Sequence, residues 1–131
     1  MLLVETIIKK TKNKGIGLFA NEFIAKGKIF WIYDDDFVKT WTLQEVEKMY
    51  ELQRKFMYKY ASVMNDLWYL CLDDCRFINH SNRPNTDVVD RQGSACVALR
   101  DIRKGVEITC DYRKICNLVR DRPSFFLRFS K

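Results

Sequence analysis

The 131-residue chain is short of three residue types that would steer a reading elsewhere: it has one histidine, two prolines and five glycines. So little Pro and Gly argues against long disordered or low-complexity stretches. No run is apolar and long enough to span a bilayer. The opening "MLLVETIIKK" lacks the basic start, apolar centre and small-residue cleavage site of a secretory signal. The expectation is an intracellular protein with no membrane partner, for which the glycosylation-like "NHS" at Asn79 to Ser81 carries no meaning. Hydrophobic residues make up 47% of the chain and aromatics 14%, enough for one domain with a modest core and too few residues for two.

Five cysteines without an export signal read as reduced thiols. The alternative is metal: Cys71 and Cys75 lie close together, His80 follows, and Cys110 or Cys116 could complete a zinc site. That spacing is loose, and the expectation is no metal. A net charge of +6 and a pI near 9.1 raise nucleic acid as a partner. The basic residues are scattered, however, and no helix reads as a basic stripe. A solvated, mildly basic surface follows, with no direct nucleic-acid binding.

Along the chain, "LLVETIIKK" reads as a strand, "TKNKGIGLFA" as a turn carrying Gly15 and Gly17, and Ile29 to Tyr33 as a second strand ended by Asp34 to Asp36. One helix is clear. Thr42 with Glu45 makes a capping box, and Val46, Met49, Tyr50, Gln53, Phe56, Met57 and Tyr60 repeat at helical spacing, which reads as a core face. "LWYLCL" returns to strand, and "TDVV" and "ACVAL" flank "DRQGS" as a hairpin. "FIAKGKIF" and "DIRKGVEI" share Ile-x-Lys-Gly, two turns whose glycine takes a positive φ before a strand. The pattern is mainly β with a helical insertion over about 42–62, an α+β domain of many short strands.

"GIGLFA" fits a dinucleotide fingerprint, with acids at Asp34 to Asp36 roughly 20 residues on. That fingerprint needs a helix opening at the glycines, and the β-rich "IFWIY" after Gly27 leaves no room for one. The glycines instead let the backbone pass close to something, or simply make a tight turn.

Three pieces then stand together in order: "KGIGLFA", "RFINHSNRPNT" and "GVEITCDY". With a helical insertion between the first two, they resemble the SET-domain protein lysine methyltransferases, from about Lys10 to Tyr112. The size resembles small standalone bacterial or viral members, which places the protein in the cytoplasm if bacterial and in the host cell or nucleus if viral. The resemblance implies a single SET domain over 1–131, a β-clip of small curled sheets with a C-terminal pseudoknot. It implies S-adenosylmethionine as cofactor, with S-adenosylhomocysteine as product, on one face, and a substrate lysine entering by a channel from the other. Carried over by residue, Lys14, Gly15, Ile16 and Gly17 resemble the loop along the cofactor. Asn79 and His80 resemble the pair that holds it, and Arg76 the arginine beside them. Tyr112 resembles the catalytic tyrosine between cofactor pocket and channel, and Tyr60, Trp68, Tyr69 and Cys110 are channel candidates. Asn85 after Pro84 reads as a turn residue bonding to backbone.

The chemistry that the resemblance implies suits this residue set. Methyl transfer to an amine needs the neutral amine, and neutralising a lysine of pKa about 10.4 at pH 7 costs roughly 4–5 kcal/mol. An apolar aromatic channel lowers that pKa by desolvation and a nearby sulfonium lowers it by like charge; alignment does the rest. Neither a metal nor a covalent enzyme intermediate is required.

The sequence departs from the family at its end. Many relatives carry Cys after "NHS" and a C-terminal C-x-C-x4-C that together bind zinc; here the position is Asn82, and the segment 113–131 holds only Cys116. No zinc is expected there, and Phe125, Phe126 and Phe129 become candidates to close the channel. Cys110 stands where many relatives have Phe or Tyr, which leaves room for a bulkier amine and suggests di- or trimethylation. The partner is a protein bearing a target lysine, a histone among the candidates. Asp34 to Asp36 and Asp73 to Asp74 could form an acidic rim, and the exposed insertion leaves a homodimer open. The alternative to an enzyme is a SET fold without turnover, serving as an interaction module.

Overall fold

A computed structural model describes residues 1–115. Strands dominate it, in small sheets, as the sequence led us to expect. β1 (Thr6–Lys10) and β2 (Ile16–Ala20) form an antiparallel hairpin with Ile8 opposite Leu18. The return is tight: the Thr11 N–H donates to the Gly15 carbonyl at 2.7 Å, and Gly15 sits at φ +75°, a left-handed conformation that side chains disfavour. "GIGLFA" is therefore mostly strand, and only Gly15 belongs to the turn.

β3 (Ile29–Ile32), β8 (Thr86–Val88) and β9 (Ala95–Ala98) form a sheet in the order β3-β9-β8, β8 and β9 being the expected hairpin. β4 (Val38–Thr42), β5 (Ser62–Met64) and β6 (Leu67–Cys71) form another in the order β4-β6-β5. β6 alternates, burying Trp68 and Leu70. β4 was not foreseen: only Val38 is buried in it, so it carries little apolar pattern. After β6 comes a 3-10 turn (Asp74–Phe77), then β7 (Asn79–His80), which pairs in parallel with β10 (Thr109–Cys110). Threading of the segment beyond Ile115 falls outside the described residues.

The expected single helix is two helices. The Thr42 capping box forms and starts α1 (Leu43–Glu47), which stops at Lys48. α2 (Glu51–Tyr60) starts afresh, with the Gln53 side chain accepting the Tyr50 N–H at 3.1 Å. Gln53, the one polar member of the periodic set, thus caps a new helix instead of continuing the first. The break rotates the pattern off the core. Val46 and Met57 are buried, but Tyr50 is 84% exposed and Phe56 43% exposed.

The two Ile-x-Lys-Gly stretches pack against each other about a local pseudo-twofold axis. Ile24 and Ile102 exchange both backbone hydrogen bonds, at 2.9 and 2.8 Å. The Gly27 N–H donates to the Ala98 carbonyl, and in mirror fashion the Gly105 N–H donates to the Ala20 carbonyl. Ala98 N–H to Lys28 and Ala20 N–H to Val106 complete the symmetric set. Both glycines have positive φ, +83° and +88°.

The main core gathers Leu18, Ile24, Phe30, Ile78, Ile102 and Ile108, and a second, smaller core gathers Val46, Met57, Val63, Trp68 and Leu70. Tyr112, first residue of α3 (Tyr112–Ile115), packs against both.

Candidate functional site

A cavity of about 360 Å³ opens where the two cores meet, within the usual range of small-molecule pockets. Its wall runs through the β1–β2 turn at Lys14 to Ile16, the end of α2, the 3-10 turn, β7 and the Asp111–Tyr112 step. The three sequence pieces that lie far apart in the chain therefore share one space.

Asn79 ties two of them together. Its side-chain amide donates to the Ile16 carbonyl at 3.1 Å and to Glu107 Oε1 at 2.9 Å. Gly17 makes room for that junction. A Cβ there would lie 2.7 Å from Glu107 Oε1 and 3.0 Å from Asn79 Nδ2. So Gly17 is a close-approach glycine whose neighbours are protein side chains, and it is not in the cavity wall. Asn85 fixes the other side of the same strand. Its side chain donates to the Glu107 carbonyl and accepts the Thr109 N–H, both at 2.8 Å, while Thr86 donates to the Thr109 carbonyl. A buried asparagine satisfied in this way holds β10 in register.

His80 stands outside the wall and supports it. Its Nδ1 accepts the Tyr112 backbone N–H at 3.2 Å, which puts the ring proton on Nε2, 3.1 Å from Asn82 Oδ1. The His80 carbonyl accepts from Lys14 Nζ at 3.0 Å. The ring also lies 5.6 Å from that of Tyr112. Tyr112 in turn donates its hydroxyl to the Ile78 carbonyl at 2.6 Å, which fixes where the phenol oxygen sits. Asp111, beside it, is gripped by Arg113 through two bonds of 2.8 Å, and that guanidinium holds its carboxyl below the usual range.

The wall has a charged part and an apolar part. Lys14, Lys59 and Arg76 line it, as do Tyr58, Tyr60, Tyr69 and Phe77. Arg76 bonds the Leu72 and Asp73 carbonyls and lies over the Phe77 ring at 4.7 Å. Tyr60 meets Phe77 edge-on at 5.6 Å. Cys71, Cys75, Cys96 and Cys110 also contribute. Burial pushes the Cys96 thiol up to about 12 and the Cys110 thiol higher still, so both are neutral at physiological pH.

Of the site residues expected from sequence, the structure brings Lys14, Gly15, Ile16, Arg76, Asn79, Tyr112, Tyr60, Tyr69 and Cys110 into one wall. Gly17 and His80 lie just behind it, and Trp68 is core, with Tyr58 packed edge-on against it at 5.0 Å. Phe125, Phe126, Phe129 and Cys116 fall outside the described residues. Tyr58 and Phe77 were missed. Phe77 sat in plain view inside "RFINHS", whereas Tyr58, two residues before the end of α2, lies outside the periodic set that marked the helix. The carboxylates in the wall are Asp87 and Asp111, not those of the Asp34–Asp36 and Asp73–Asp74 runs. Among the described residues no helix is long and apolar enough to cross a membrane.

The SET domain family profile matches residues 15–113. Among solved structures, a candidate histone methyltransferase from Plasmodium falciparum superposes with a TM-score of 0.60 at 21% identity, covering 85% of this chain and 95% of that one. At that identity the likeness is one of fold. A search of curated proteins found no match.

Proposed function

The chain belongs to the SET-domain family, and from that membership we propose that it is an S-adenosylmethionine-dependent protein lysine N-methyltransferase. The observation that carries this reading is the meeting of Tyr112, Asn79 and the Lys14–Ile16 turn around one cavity with cationic and aromatic walls. The lining fits the cofactor chemically. Lys14 and Arg76 offer positive charge for a carboxylate, and the Ile16 backbone and Asn79 offer polar groups. When bound, S-adenosylmethionine supplies a methyl group on a sulfonium.

The chain's own residues do the remaining work. Tyr60, Tyr69 and Phe77 exclude water from the incoming lysine, which favours its neutral form. Tyr112, its proton committed to Ile78, presents the phenol oxygen as an acceptor that orients the amine. His80 holds the backbone of Tyr112, so the tyrosine's placement depends on a residue outside the wall. Cys110 gives the wall a small side chain where a larger one would crowd a methylated amine, and the enzyme reaches di- or trimethyllysine. The substrate is a protein lysine, with core histones the first to offer.

The test is transfer of labelled methyl from S-adenosylmethionine to core histones and a whole-cell lysate, native against Tyr112→Phe. Label on lysine, reduced on the order of 10²-fold in the variant, supports the reading. Calorimetry showing no cofactor binding by the native protein would overturn it in favour of an interaction module. Mass spectrometry showing only monomethyl product at saturation would remove the claim about Cys110.

A further inference from the structure

Sequence spacing singled out Cys71 and Cys75 and offered His80 as the third ligand of a metal. The folded chain rejects His80, both of whose ring nitrogens are engaged by Tyr112 and Asn82. It supplies Asp73 instead. One donor atom from each of Cys71, Asp73 and Cys75 lies within 4.8 Å of the others, a spacing that small adjustments would turn into ligands about 2.0–2.3 Å from one ion.

The local backbone explains the convergence. Cys71 ends β6, Asp73 caps the 3-10 turn by accepting the Cys75 N–H, and Cys75 lies inside that turn. Three residues at alternate positions are thus wrapped round to one point. The Asp73 carboxylate is already oriented. Oδ1 accepts from Cys75 N at 3.1 Å and Oδ2 from Leu2 N at 2.7 Å. Each oxygen retains a second lone pair for a metal, and hydrogen bonds of this kind are what hold metal-ligating carboxylates in place. The two cysteines are also part of the cavity wall, so an ion can arrive from the cavity side.

We propose that Cys71, Asp73 and Cys75 form a three-ligand site for a thiophilic divalent cation of the zinc class, with its remaining coordination position toward the cavity. Two thiolates and one carboxylate suit zinc or cobalt and disfavour magnesium or calcium, which take oxygen ligands. Binding converts both thiols to thiolates and releases their protons to solvent, with no oxidant involved. The site is separate from the zinc cluster that many relatives build from their C-terminal cysteines. It places a cation in the wall of the space that cofactor and lysine share under the proposed function, although its existence does not depend on that function.

Cobalt(II) titration of the full chain in a non-thiol reductant tests the site. One cobalt per chain with a thiolate-to-cobalt charge-transfer absorption is expected, lost in Cys71→Ser and in Cys75→Ser. A second measurement needs no variant: zinc should protect Cys71 and Cys75 from alkylation at least tenfold more than it protects Cys110, read by peptide mass spectrometry. No charge-transfer absorption in the native protein, or equal protection of all three cysteines, would overturn the proposal. The readouts are optical and chemical, so an enzyme without turnover would leave them interpretable.

Discussion

Ile24 and Ile102 donate to each other's carbonyls across the centre of the domain, at 2.9 and 2.8 Å, and both are 1% exposed. Each belongs to an Ile-x-Lys-Gly stretch, and the surrounding backbone bonds repeat about the same pseudo-twofold axis. Truncating either isoleucine to alanine should cost about 2–5 kcal/mol, because each leaves a cavity in the main core. Residues in contact share neighbours, so the double variant should depart from additivity by at least about 0.5 kcal/mol. Urea unfolding of the two singles and the double measures both. A strictly additive pair would mean that the two halves are energetically independent.

Much of this was legible in the sequence, for reasons that differ by element. The Ile-x-Lys-Gly echo was visible because a left-handed turn needs glycine at a fixed place, and that requirement leaves a mark. The convergence of "KGIG", "RFINHS" and "EITCDY" was legible only through family resemblance, since nothing local to Asn79 announces that its amide will reach Ile16 and Glu107. β4 was invisible because an edge strand with one buried residue has almost no apolar alternation. The helix break at Lys48 to Tyr50 was hidden by residues that fit a continuous helix equally well.

Gly15 and Gly17 look alike in the sequence and should fail differently. A Cβ at Gly15 meets nothing within 4 Å, so its cost is the left-handed backbone alone. Gly15→Ala should lose about 1–2 kcal/mol, and Gly15→Asn less, since asparagine tolerates that region. At Gly17 the added carbon strikes Glu107, Thr11 and Asn79. Gly17→Ala should lose about 1–3 kcal/mol through overpacking, and Gly17→Asn should be worse still. Thermal or urea unfolding of the four variants decides it. The outcome that sinks the distinction is asparagine being better than alanine at both sites.

The interrupted helix makes a prediction that a continuous one would not. With seven residues on one core face, Tyr50 and Met57 would matter alike. In the structure Met57 is 3% exposed and Tyr50 84% exposed. Met57→Ala should destabilise by about 2–5 kcal/mol, and Tyr50→Ala by less than about 0.5 kcal/mol. Comparable losses would restore the single helix.

Asp111 offers a charge whose contribution can be switched by pH. Its carboxylate accepts two bonds from the Arg113 guanidinium and one, at 3.0 Å, from the Arg113 backbone N–H at the start of α3. Asn in its place keeps an acceptor for that N–H and removes the charge, so Asp111→Asn isolates the ionic part. The guanidinium lowers the folded-state pKa of Asp111. A lowered carboxyl pKa stabilises the fold fully above the unfolded value, about 3.9, and that contribution is lost as pH falls through the folded value. Because the Arg113 side chain is 55% exposed, solvent screening keeps the contribution of the pair small. Urea unfolding should therefore find the native chain more stable than Asp111→Asn at pH 7, with the gap closing well below pH 3.9. A gap that persisted in acid would mean that the charge of Asp111 is not what stabilises the fold.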